Sequence, residues 1–154
     1  MSKYKFFYNG IFSQWHKSSF EIDNIQYNCA EQYMMHQKAL LFGDFEIAEK
    51  IMEAEHPRDQ KALGRQVKNF DVNVWNEKAR DIVYKGNYAK FKKDPLLLSA
   101  LLETSGTLVE ASPYDCVWGI GLSMNDERIH DPKNWLGTNW LGEVLTKLRD
   151  DFKS

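Results

Sequence analysis

Residues 28–39, NCAEQYMMHQKA, constrain the fold of this chain more tightly than any other stretch. Read as a helix, they put Glu31 and Lys38 seven residues apart, two turns along one stripe, with Met34 and Met35 between them and Phe42 a turn beyond. A carboxylate and an ammonium set among thioether and aromatic side chains are unusual on a helix and admit two readings. In the first, Asn28 is the N-cap and Glu31, at the third helical position, completes a variant of the capping box. A carboxylate in the first turn also suits the helix dipole, and Lys38 is then an ordinary solvated lysine. In the second, the two charges belong to a site, and the rest of the chain has to decide between them.

With 154 residues, 43% of them hydrophobic, the chain is long enough for a proper core and short enough that one domain, 1–154, is expected. A net charge of −2 and a pI near 6.1 provide no basic field of the kind that duplex-binding proteins use, leaving a small nucleotide or a local strand contact as partners. No apolar run approaches the ~20 residues that span a bilayer, and the opening MSKYKFFYNG lacks a signal peptide's apolar stretch, so a cytoplasmic protein without membrane contact is expected. Cys29 and Cys116 are too few for a structural zinc site and read as buried thiols. The four histidines show no ligand spacing, so neither metal nor cofactor is expected.

Along the chain, Tyr4–Phe7, Phe20–Ile22 and Ile25–Tyr27 read as short strands, with Asp23-Asn24 as a hairpin turn, and a small antiparallel sheet is expected to open the fold. Gly10, Ser13, Gln14 and Trp15 fall on a connection, where site residues are often presented. Gly43-Asp44 reads as a helix stop and a new N-cap, leading into Phe45–Ala54. Asp59–Val67 is a third helical piece, and Asn73–Lys85 a fourth that Gly86 interrupts before Tyr88–Lys92. Asp94-Pro95 starts an apolar helix, Leu96–Glu103, with proline at its first position. Thr107–Glu110 is a strand, EASPYDCVWGIGL and Ser123–Thr138 are irregular, and Leu141–Phe152 is an amphipathic closing helix. Long irregular segments in small domains tend to be functional. The fold class is α+β, helix-rich, with a small antiparallel element near the N-terminus.

GIFSQW, NCAEQYMMHQKA, LGRQV, LVEASPYDCVWGIGL and DPKNWLGTNWLG, in this order and spread over nearly the whole chain, resemble the YbiA-like or NADAR family. The resemblance implies a helix-rich domain that hydrolyses N-glycosidic bonds, in ribosylamino-pyrimidine phosphates of riboflavin synthesis or in nucleobases carrying ADP-ribose. Nucleic acid is then a partner only as an ADP-ribosylated substrate. The functional positions it carries over are Glu31, Lys38, Trp75, Asp115 and Trp118. One departure, Trp140 where relatives more often have leucine, bears on substrate preference.

Such chemistry suits these residue types. Breaking a bond between an anomeric carbon and nitrogen passes through an oxocarbenium-like state, and Glu31 with Asp115 can divide acid and base roles. Alternatively the ribosylamine opens to an imine that Lys38 captures as a Schiff base. An ordinary lysine is only about 1 part in 2,500 neutral at pH 7, so this route needs its pKa lowered to roughly 7–8. A close pairing with Glu31 would act the other way. Trp75 and Trp118 offer faces to a planar base, or are core tryptophans. Gly119 and Gly121 offer backbone amides to a phosphate. Arg65 and Arg80 are phosphate partners or surface ion-pair residues. Asp115 is a catalytic carboxylate or a turn residue after Pro113-Tyr114. A non-catalytic nucleotide or ADP-ribose sensor and a plain helical interaction domain are the competing classes; oligomeric state is left open.

Overall fold

The computed structural model describes residues 3–154. In chain order its elements are β1 (Tyr4–Phe7), β2 (Phe20–Ile22), β3 (Ile25–Tyr27), α1 (Ala30–Leu41), α2 (Phe45–Glu53), α3 (Pro57–Gly64), α4 (Val72–Lys93), α5 (Pro95–Glu103), β4 (Thr107–Glu110) and α6 (Trp140–Lys153). Single-turn 3-10 helices at Glu127–His130 and Pro132–Asn134 precede α6. The α+β, helix-rich class is observed. The chain divides into two compact units, one being Gln14–Lys93 and the other the segment up to Ser13 together with Asp94–Ser154.

The unit of Gln14–Lys93 is organised around α1, where every residue from Ala30 to His36 is buried. A helix buried all round needs close neighbours, and two glycines supply them. A Cβ on Gly64 of α3 would lie 2.1 Å from Met35 Sδ, and one on Gly86 of α4 would lie 2.8 Å from the Tyr33 ring. Gly86 therefore does not interrupt a helix, as its sequence context suggests, but lets one continuous α4 approach α1; the missing side chain is used for packing. The β2–β3 hairpin turns through Asp23 and Asn24 with φ of 53° and 67°, as a two-residue turn matched to strand twist requires. Its Phe20 and Tyr27 join Tyr33 in a buried aromatic cluster. α3 begins at Pro57, two residues ahead of the sequence expectation, because proline is suited to the first helical position and His56 Nδ1 accepts from Arg58 N–H.

In the other unit β1 pairs with β4, and the pairing is parallel, Tyr4 opposite Thr107 and Phe7 opposite Glu110. The opening antiparallel sheet is thus only the β2–β3 hairpin; β1 belongs to a sheet whose second strand lies about a hundred residues on. α6 lies on β4 through Gly142, whose position 2.1 Å from a built Cβ to the Leu108 carbonyl leaves no room for a side chain. Asn139, at φ 56°, precedes α6 and acts as a substitute strand: its Nδ2 donates to Leu108 O and its Oδ1 accepts from Glu110 N–H. As expected, α5 starts with Asp94 as N-cap and Pro95 at its first position, and Leu97 and Leu101 are its buried residues.

Candidate active site

The first turn of α1 resolves the two readings of Glu31. The N-cap is Cys29, which makes no side-chain capping bond, and the side chain that reaches back is Gln32, whose Oε1 accepts from Asn28 N–H at 2.8 Å. Glu31 is not a capping-box residue. Its N–H donates to the Gln14 carbonyl at 2.9 Å, and its Oε1 accepts from the Trp15 indole N–H at 3.2 Å. With 5% exposure, the carboxylate is buried against the Gln14-Trp15 connection, and a buried carboxylate is a candidate functional group.

Two turns on, Lys38 is half-buried with its Nζ 4.7 Å from the centre of the Phe70 ring and 5.8 Å from that of Trp75. Aromatic faces hold an ammonium by their quadrupole without neutralising it. Burial lowers the Lys38 pKa from its ordinary value; Glu31 acts in the opposite direction, Arg65 adds to the lowering, and the net shift is downward. Lys38 makes no ion pair within 4 Å among the described residues, so the close pairing that would hold its proton is not formed. The structure thus brings Glu31, Lys38, Arg65 and Trp75 together in one unit. Trp75 lies inside α4, buried, with one ring face toward the lysine. Arg65 caps the C-terminus of α3, and Arg80 is exposed on α4.

Phe70 is the site residue that the sequence reading misses. It follows Asn69, which turns the chain at φ 62°, and a large aromatic exposed after a left-handed turn is the available signal. The turn is fixed upstream by Asp44: one carboxylate oxygen accepts from Ile47 N–H as the α2 cap, the other from Lys68 N–H, and these bonds hold the Asp44 pKa below the usual carboxylate value.

Asp115, Trp118 and Gly119 lie in the other unit. Asp115 Oδ1 accepts from Val117 and Trp118 N–H at 2.9 and 2.8 Å, the turn role that its position after Pro113-Tyr114 allows. Residues 116–121 run against 136–141 through main-chain bonds such as Leu136 N–H to Ile120 O and Asn139 N–H to Gly119 O, so the two irregular motif segments form one substructure. Gly119 and Gly137 permit that approach, a Cβ on Gly137 lying 2.3 Å from Gly119 O. The Gly121 N–H donates to Asp115 O and is engaged within the turn. Trp118 meets Trp140 edge-on, ring centres 5.5 Å apart, which gives the unusual Trp140 a structural partner. Of the cysteines, Cys29 is buried, its thiol pushed up to about 11 by burial, whereas Cys116 is exposed because it lies in the 116–121 turn. Among the described residues no group of three His, Cys, Asp or Glu is arranged to hold a metal ion, and no helix is long and apolar enough to cross a membrane.

Residues 5–153 match the NADAR domain. The chain is 44% identical to N-glycosidase R617 of Acanthamoeba polyphaga mimivirus over 97% of this chain and 96% of that protein. It is 38% identical to protein irg-1 of Caenorhabditis elegans over 92% of this chain and 75% of that one. It is 34% identical to the chloroplastic riboflavin biosynthesis protein PYRR of Arabidopsis thaliana, over 70% of this chain and 17% of that larger protein. In three dimensions it resembles the NMR structure of E. coli YbiA, with a TM-score of 0.80 and 25% identity over 99% of this chain and 87% of that one.

Proposed function

The chain belongs to the NADAR family, and on that premise we propose that it acts, as one domain over 1–154, to hydrolyse the sugar–nitrogen bond of a ribosylamino-pyrimidine phosphate or of a nucleobase carrying ADP-ribose. Hydrolysis of N-glycosyl compounds is supported by the viral relative's name, and the pyrimidine substrate by the plant relative in riboflavin biosynthesis. The single observation that carries the mechanism is the placement of half-buried Lys38 against the Phe70 and Trp75 rings, without an ion pair among the described residues and on the same helix as Glu31; its burial lowers the Lys38 pKa.

In this reading the reacting form is the one in which the proton of the Lys38 ammonium has passed to the Glu31 carboxylate; Glu31 gives it to the ring oxygen as the bond from that oxygen to C1′ opens, leaving an iminium. Neutral Lys38 Nζ adds to C1′ and passes a proton to the nitrogen of the base, which leaves as an amine. A Schiff base then joins Nζ to C1′. Water adds to that carbon, Nζ departs as the free amine, and the released proton returns to Glu31. One water is consumed and one carbon–nitrogen bond is broken. Trp75 and Trp118 are assigned faces for the base, Arg65 and Arg80 charges for phosphate, and Gly119 a close main-chain approach. Asp115, with Oδ1 engaged in its turn, is assigned as a further carboxylate through Oδ2.

Sodium borohydride tests the central step, since it reduces a Schiff base to a stable amine. Incubation with each substrate class should leave a sugar-phosphate or ADP-ribose mass on the Lys38 peptide and none in Lys38→Met. Continued turnover with no trapped adduct would assign attack to water directly, and recovery of intact ligand would make the protein a binder.

A further inference from the structure

Beyond the residues assigned above, we infer that Gln14 and Asn87 form a hydroxyl-binding site adjoining Glu31. The Asn87 Nδ2 donates to the Val83 carbonyl at 2.9 Å and to Gln14 Oε1 at 2.8 Å. Both partners are acceptors, so the orientation of both amides is fixed: Asn87 has Oδ1 left over and Gln14 has Nε2. Neither atom has a hydrogen-bond partner among the described residues, although Asn87 is fully buried and Gln14 is only 7% exposed. Native proteins rarely leave one buried polar atom uncompensated, and here two of opposite polarity belong to one bonded pair.

The pairing of a spare donor with a spare acceptor names the ligand chemistry. A carbonyl or phosphate oxygen would satisfy Gln14 alone, and an ammonium would satisfy Asn87 alone. A hydroxyl accepts from Nε2 and donates to Oδ1, satisfying both. Its place in the site follows from the chain, because the Gln14 carbonyl takes the Glu31 N–H and the next residue, Trp15, donates to the Glu31 carboxylate. The hydroxyl has two sources, an internal water, which makes about three such bonds when buried, or a ribosyl hydroxyl of the substrate. The ribosyl source rests on the proposed function; the site itself does not.

High-resolution crystallography of the unaltered protein, free and soaked with ribose 5-phosphate, tests the site. The expected result is one oxygen within hydrogen-bonding distance of both Gln14 Nε2 and Asn87 Oδ1, from water in the free protein or from ribose in the soak. Atoms that stay without a partner in both crystals, or a Gln14 amide that turns to pair twice with Asn87, would overturn the proposal. Gln14→Met keeps the length and removes the amide. A KM raised about tenfold identifies the sugar as the source, one hydrogen bond lost corresponding to a factor of that order; a lowered Tm with unchanged KM identifies water. No change in either counts against the site. An oxygen found at the pair in a protein without turnover leaves this site standing while the proposed function falls.

Discussion

Glu31 illustrates how one residue can satisfy a local rule on paper and a different one in space. Its position three residues after Asn28 fits a capping box, yet Gln32 makes the backbone contact and Trp15 claims the carboxylate. Replacement by glutamine keeps an oxygen for the Trp15 indole and removes the charge. Turnover of Glu31→Gln should fall by about 10²–10⁴-fold, the usual contribution of a general acid–base group, with thermal unfolding little changed. Wild-type turnover in that variant would move catalysis to Lys38 and Asp115. At this scale the sequence is informative where periodicity acts: the two-turn spacing of Glu31 and Lys38 correctly puts both on one stripe. It is silent where loops act, since the approach of Phe70 to Lys38 depends on Asn69 and on Asp44 holding Lys68.

At the scale of elements, most helices and strands were readable because caps, prolines and apolar spacing are local signals, as Asp94-Pro95 at the head of α5 shows. The partner of β1 was not, because strand pairing over a hundred residues is decided by tertiary packing and leaves no mark in either strand. Gly86 departs from its local signal for a related reason: glycine lowers helix propensity locally, but the Tyr33 ring needs its space. The glycines also separate into soft and hard contacts. Gly64→Ala meets the far end of Met35, which can move, and should change stability by under about 1 kcal/mol. Gly142→Ala meets the Leu108 carbonyl and the Asn139 side chain, both held by hydrogen bonds, so α6 must shift on β4. It should destabilise by about 1–3 kcal/mol, the usual cost of overpacking, and lower Tm by roughly 2–4 °C for each kcal/mol in a domain of this size. Equal Tm values for the two variants would show that α6 has slack the geometry does not suggest.

For the whole molecule, the near-balance of charge at −2 conceals one costly placement. Lys90 is fully buried, on the α4 stripe that runs Trp75, Ala79, Val83, Gly86, Asn87 and Lys90. Burial holds its pKa down to about 7, with Cys29 acting the other way. In the unfolded chain the group has its ordinary value near 10.4. Between these values the unfolded chain carries a proton that the folded one does not, so stability rises with pH, by at most about 1.4 kcal/mol per unit. The destabilisation is complete below about 7 and gone above the unfolded value. Cys29 and Tyr27, pushed up to about 11 and about 12 by burial, work in the opposite direction, but only above their unfolded values near 9 and 10. From pH 7 to 9 the gain therefore comes from the lysines whose pKa burial lowers, Lys90 and with it Lys38. The Lys90 part of the gain in urea unfolding across that interval should be roughly 2–3 kcal/mol, the integral of that slope, and Lys90→Met, which keeps the stem and removes the amine, should remove that part and leave the smaller dependence due to Lys38. A variant whose stability follows pH as steeply as the wild type would mean that Lys90 keeps its proton in the folded protein, with an anion close enough to hold it there.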